Sequence, residues 1–246
     1  MTEVLSYTDK DILDFVGSVQ WYQGDIKFPN GLTTSSPYPC DTIFNMFGVK
    51  DEYFKGKRVL DCCCNSGYFS FKALELGAGE VVGFDNSEYW ISVAEKVKTM
   101  KLINKEPHYG NKLRFYVESF KDVAWDQIGK FDVVFMNSCL YHINMDIQNI
   151  LDILSEACSD KLIIFTKIFT FWSPDSSELG ADWKGKYVPT YEMLDFELLR
   201  RKFNFIEHSA LKKEELKEVG VGISLDERRI LQQKCNKISF VASKKI

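Results

Sequence analysis

Residues 58–69 read RVLDCCCNSGYF and set three of the chain's seven cysteines side by side. Zinc sites draw their sulfurs from spaced pairs such as C-x2-C, so that the ligands converge on one tetrahedron. Cys62, Cys63 and Cys64 are contiguous, and Cys40, Cys139, Cys158 and Cys235 are scattered. Only three histidines, His108, His142 and His208, accompany them, so no metal site is expected. The odd cysteine count also argues against a disulfide framework. What remains is a loop. It joins a short apolar strand to a helix, the place in an open α/β sheet where ligands bind. Glycines usually make such a turn, because they reach positive φ and let a ligand approach the backbone. Here Cys63 takes the first glycine position, Asn65 the second, and Gly67 alone survives. Asn tolerates left-handed backbone, and the cysteines are read as small apolar fillers packing below a ligand.

Asp85 closes the next strand, 18 positions after Gly67. An acid there can take both hydroxyls of a ribose. The competing role is to cap the following helix; the order strand, loop, helix, acid favours the ribose. His142, after the fourth strand, is the candidate general base, with loop packing as its alternative. Tyr22 joins it as a candidate catalytic residue. Tyr141 is better suited to pack or to hold substrate than to lose a proton, given an ordinary pKa near 10. Lys167, ending the fifth strand, is either a charge for an anionic acceptor or, as favoured here, a solvated strand-end lysine. Trp21, Tyr22, Tyr38, Trp172, Trp183 and Tyr187 fall in two loop-rich regions, as a lid over the site or as anchors to the core. Trp21 is read as an anchor and Tyr22 as a pocket residue.

The elements that must position these residues alternate. Apolar runs at 57–61, 80–85, 112–120, 130–137 and 160–169 read as strands, with helical periodicity after Gly67, over 86–100 and over 145–159. Alternating β and α implies a parallel, doubly wound sheet. Residues 1–55 form an N-terminal cap segment with one helix, and 56–170 the Rossmann-like core. Residues 171–246 bring an aromatic loop, a helix from near Thr190 and two strands completing the same domain.

Net charge is −4 and the pI about 5.5, without the basic face of a dedicated nucleic-acid binder. No apolar run approaches the roughly 20 residues of a membrane span, and MTEVLSYTDKDILDF lacks the basic start of a secretory signal. A cytoplasmic protein acting on a small molecule is expected.

The stretches VLDCCCNSGYFSFKALELGAGEVVGFDNS (59–87) and FDVVFMNSCLYHI (131–143) resemble class I S-adenosylmethionine-dependent methyltransferases. WYQGDIKFPNGLTT (21–34) and CLYH narrow the resemblance to the branch holding the wobble-uridine tRNA methyltransferases and related sugar and small-molecule O-methyltransferases. The resemblance implies a seven-stranded sheet with an antiparallel last strand, and S-adenosyl-L-methionine as cofactor. It would set Asp61 and Gly67 by the methionine end, with Cys63 and Asn65 in the loop, and Asp85 on the ribose. Asn86 would lie beside the adenine, Glu118, Ser119 and Phe120 along its edge, and Asn137 facing the methionine and the methyl. Tyr22, Tyr38, Tyr141, Lys167, Trp172 and Tyr187 are the candidate substrate contacts. The favoured function is O-methylation of a sugar, sugar nucleotide or phospho-metabolite, as in surface-polysaccharide (capsule) synthesis. A wobble-uridine tRNA enzyme is the alternative, and a non-catalytic binding module the third reading.

Overall fold

The computed structural model describes residues 7–46, 48–103, 110–169, 180–183, 186–189, 191–210 and 235–244. Helix α1 (Asp9–Ser18) starts at Thr8, whose hydroxyl accepts from the Asp11 amide while the Asp11 carboxylate accepts from the Thr8 amide. This reciprocal capping holds two otherwise orphaned donors. A second helix, α2 (Cys40–Met46), was not anticipated from the sequence. Then come β1 (Arg58–Cys62), α3 (Tyr68–Glu75), β2 (Glu80–Asp85), α4 (Glu88–Ile103), β3 (Leu113–Val117), β4 (Phe131–Asn137), α5 (Ile147–Ala157) and β5 (Cys158–Phe169). A hairpin follows, β6 (Gly180–Trp183) and β7 (Lys186–Pro189), where the sequence reads as loop. Helix α6 (Tyr191–Arg200), β8 (Phe203–Ala210) and β9 (Cys235–Lys244) complete the order.

Seven strands form one sheet in the order β3-β2-β1-β4-β5-β9-β8. The first five are mutually parallel, and β9 runs antiparallel between β5 and β8. Strand alternation divides the apolar side chains between two faces. Val59, Val133, Phe135, Ile163 and Phe165 meet α3, α4 and the N-terminal Ile12, Trp21, Ile26 and Phe28. Leu60, Cys62, Val134, Met136, Leu162 and Ile164 meet α5 and α6 through Ile150, Leu154, Leu194 and Leu198. Trp21 is buried, donates its indole N–H to the Val16 carbonyl at 2.8 Å and meets Phe15 edge-on.

Register aligns the strand ends that matter. Cys62 pairs with Phe84 and Met136, and Asp85 with Val117. The loops after β1, β2, β3 and β4 therefore leave the sheet at one edge. The ladder of β3 ends at Val117, three residues before the apolar run does, which frees Glu118, Ser119 and Phe120. Among the described residues, no helix is long and apolar enough to cross a membrane.

Candidate cofactor-binding cavity and its rim

The loop after β1 alternates left-handed residues: φ is 57° at Cys63, 51° at Asn65 and 88° at Gly67. For a non-glycine residue this backbone costs roughly 1–2 kcal/mol, so local bonds must hold it. The Asn65 side-chain oxygen accepts from the Ser66 amide at 2.8 Å, and the Cys64 amide donates to the Phe84 carbonyl at 2.9 Å. Gly67 has no substitute. A Cβ there would lie 2.8 Å from Cζ of Phe115.

The three cysteines part company. Cys62 enters the core on the α5 side and Cys64 the core on the α3 side, and burial raises both thiols well above their ordinary range. Cys63 is half-buried and faces the cavity. Among the described residues, no three His, Cys, Asp or Glu side chains gather as a metal site.

Asp85 is 8% exposed, and its two oxygens are fixed separately. One accepts from the Asn65 amide at 3.0 Å and the other from the Ser87 amide at 2.9 Å. The carboxylate thus ties the loop after β1 to the start of α4, and a carboxylate offers about four lone-pair sites, so half its capacity remains for a ligand. Capping of α4 passes to Ser87, whose hydroxyl accepts from the Trp90 amide at 3.3 Å.

The N-terminal segment builds part of this wall. Gln23 is 4% exposed, and its side-chain oxygen accepts from the Tyr68 amide at 3.0 Å and from the Ser66 hydroxyl at 3.2 Å. It satisfies the first free N–H of α3, which an interior capping residue would otherwise take. Tyr38 reaches the end of β4, with its hydroxyl 3.1 Å from Oδ1 of Asn137 and 2.5 Å from Oγ of Ser138. Tyr22, 47% exposed, stacks on Tyr38 at 5.3 Å and 19°. Loss of solvent, more than the Cys40 and Cys139 thiols beside it, raises the Tyr22 hydroxyl above its ordinary value.

These elements enclose a cavity of about 730 Å³, within the roughly 300–1,000 Å³ of ligand pockets. Of the sequence-stated site residues, Tyr22, Tyr38, Cys63, Asn65, Asp85, Asn86, Glu118, Ser119, Phe120, Asn137 and His142 line it. His142 is exposed, at the end of a 3-10 turn (Leu140–His142) on the rim. Asp61, Gly67 and Tyr141 are not on its wall. Asp61 lies within the β1 ladder, paired with Gly83 and Phe135, and accepts from the Ser70 hydroxyl at 2.6 Å. Burial, partly offset by that bond, pushes its carboxyl up to about 7. Gly67 acts through the turn, and Tyr141 is buried beneath the rim with its hydroxyl raised by desolvation. Lys167 and Tyr187 belong to β5 and β7; Trp172 lies outside the described residues.

The sequence reading missed Gln23, Ser87, Trp90, Lys121, Ser138, Cys139, Ile143 and Asn144, all on the cavity wall. Five of these eight, Gln23, Ser87, Lys121, Ser138 and Ile143, directly follow residues already singled out. Ser138 carried a signal only in its neighbour Asn137, and its φ of 55° marks a strained turn. Gln23 likewise carried only that of its neighbour Tyr22, because its partners lie 43 and 45 positions away.

A doubly wound sheet with an antiparallel strand beside β5, and a cavity over its carboxyl edge, is the class I methyltransferase architecture. The chain belongs to the methyltransferase domain family, whose profile it matches over residues 54–216. It is 32% identical over 98 residues to the tRNA U34 carboxymethyltransferase of Ectopseudomonas mendocina, covering 40% of this chain and 28% of that enzyme. To the tRNA U34 carboxymethyltransferase of Campylobacter lari it is 30% identical over 123 residues, 50% of this chain and 38% of that one. The chain thus spans about a third of the length of these curated relatives. Among solved structures, the N-terminal domain of EvdMO1, crystallised in the presence of SAH and D-fucose, superposes with a TM-score of 0.67 at 14% identity, covering 100% of both chains. That likeness is one of fold.

Proposed function

We propose that the chain binds S-adenosyl-L-methionine in this cavity and transfers its methyl group to an oxygen of a small polar metabolite, a sugar, sugar nucleotide or phospho-metabolite, in the cytoplasm. The observation that carries the reading is Asp85. Its carboxylate stands on the cavity wall, held by two backbone amides, beside a loop whose left-handed residues let a ligand approach. The cofactor supplies an electrophilic methyl on a sulfonium, so the chain's share is alignment and exclusion of water.

Asp85 would take the ribose hydroxyls through its remaining lone pairs. Asn86, Trp90, Ser119 and Phe120 would hold the adenine, with Cys63 and Asn65 below the ribose and Asn137 at the far end. Tyr22 and Tyr38 would close over the acceptor. His142 would accept the proton of a hydroxyl acceptor, a contribution typically of about 10²–10⁴-fold; an ionised acceptor oxygen would need positioning only. The acidic net charge of −4 favours a small acceptor over RNA. The similarity to tRNA U34 carboxymethyltransferases is the observation for the second reading, tRNA modification.

Titration calorimetry with S-adenosylhomocysteine tests the cofactor. Micromolar binding to the wild type is expected, weakened about 100-fold in Asp85→Ala, since charge-assisted hydrogen bonds contribute about 1.5–3 kcal/mol each. An acceptor screen with sugar-linked and phosphorylated compounds, run beside unmodified tRNA, then separates the two readings. Turnover on tRNA alone would sink the first.

A further inference from the structure

Asn137 ends β4 with one half of its carboxamide already committed. Its Oδ1 lies 3.1 Å from the Tyr38 hydroxyl, and among the described residues its Nδ2 has no partner. The Tyr38 hydroxyl lies 2.5 Å from Ser138 Oγ, and the Ser138 hydroxyl also bonds that of Tyr141. Each hydroxyl has one proton, and Tyr38 gives its own to Oδ1 of Asn137, which leaves it to accept that of Ser138. Tyr38 and Tyr141 are buried, and loss of solvent raises both hydroxyls, which keeps them protonated donors. The terminus left facing the cavity is the amide nitrogen.

We infer that Tyr38 is a positioning residue: it locks the Asn137 carboxamide with its nitrogen toward the cavity, where it takes a carboxylate oxygen of the bound cofactor's amino-acid end. This rests on the cofactor reading above. The strand order is β3-β2-β1-β4, with Asp85 on β2 and Glu118 to Phe120 after β3. A nucleoside held by its ribose at β2 and its base at β3 must send its 5′ chain past Cys63 toward β4, where Asn137 stands. Among the described residues, Lys121 is the cavity's sole lysine or arginine, and it follows Phe120 on the base side. At the β4 end the carboxylate therefore meets a neutral donor, whose direction matters more than a cation's would.

The discriminating measurement is calorimetric binding of two ligands, S-adenosylhomocysteine and 5′-methylthioadenosine, which shares the adenosine and sulfur and lacks the amino-acid end. In Tyr38→Phe the amide is free to turn, and S-adenosylhomocysteine should weaken about tenfold while methylthioadenosine stays within about twofold. Asn137→Asp, which sets an anion against the carboxylate, should give the same split, and it decides the matter alone if circular dichroism shows Tyr38→Phe unfolded. Equal weakening of both ligands, or unchanged S-adenosylhomocysteine binding, overturns the inference. A wild type that binds neither ligand overturns the cofactor reading itself, and this inference with it.

Discussion

Cys63 occupies a backbone conformation that L-residues resist, with φ at 57°. Its thiol lines the cavity and packs half-buried against the core on the α5 side, less deeply than Cys62 and Cys64 do in theirs. Replacing it by glycine removes the steric penalty and adds chain entropy to the unfolded state, two effects of opposite sign. The first is the larger at a left-handed position, so Cys63→Gly should raise stability by about 1 kcal/mol. Denaturant titration reads this directly, with Cys62→Gly, in a strand and fully buried, as the destabilising contrast. The same alternation explains what the sequence revealed here. Three left-handed positions spaced by two are legible when glycines fill two of them. With Cys and Asn in place, the order of strand, loop, helix and acid had to identify the turn. The strand runs one residue further than its apolar pattern reads, to Cys62, which sets Asp61 inside the ladder and toward Ser70.

At the scale of elements, periodicity located β1, β2, β4, β5, α4 and α5 because each is long enough to repeat its apolar pattern. It missed α2, seven residues within a turn-rich stretch, and the β6–β7 hairpin, four residues a side. The sequence sets the N-terminal segment apart from the alternating core, but how it attaches was not legible, since Gln23 bonds residues more than forty positions on. That attachment is testable. Gln23→Ala leaves the Tyr68 amide and the Ser66 hydroxyl buried without their acceptor, at a cost of about 1–3 kcal/mol. Because both groups border the loop after β1, Gln23→Ala should also weaken S-adenosylhomocysteine binding. A loss of stability with unaltered affinity would show that the segment braces α3 without shaping the cavity.

For the whole molecule, the buried Asp61 makes stability depend on pH. Its carboxyl is pushed up to about 7 from an ordinary 3.8, chiefly by burial, with Asp85 adding to the rise. The folded state therefore binds a proton that the unfolded chain has released over the interval between those values. This contribution is fully present below about pH 3.8 and is lost as pH rises through about 7. Asp61→Asn keeps an acceptor for the Ser70 hydroxyl and removes the titration. Thermal melts from pH 4 to 8 should show the wild type losing ground to Asp61→Asn as pH rises. Parallel curves would mean that Asp61 stays ionised in the folded protein.

Strand β9 lies between β5 and β8, although it follows both in the chain. During synthesis the parallel half, β3-β2-β1-β4-β5, has all its segments outside the ribosome once Phe169 has emerged. Strand β8 emerges next and finds no partner, for the ladder it needs is made by residues 235–244. The nascent chain thus waits with β5 ending in an open edge and β8 unpaired, the arrangement most prone to pairing with a neighbouring chain. Arrival of β9 closes both edges in one step, joining nine register pairs with β5 and seven with β8.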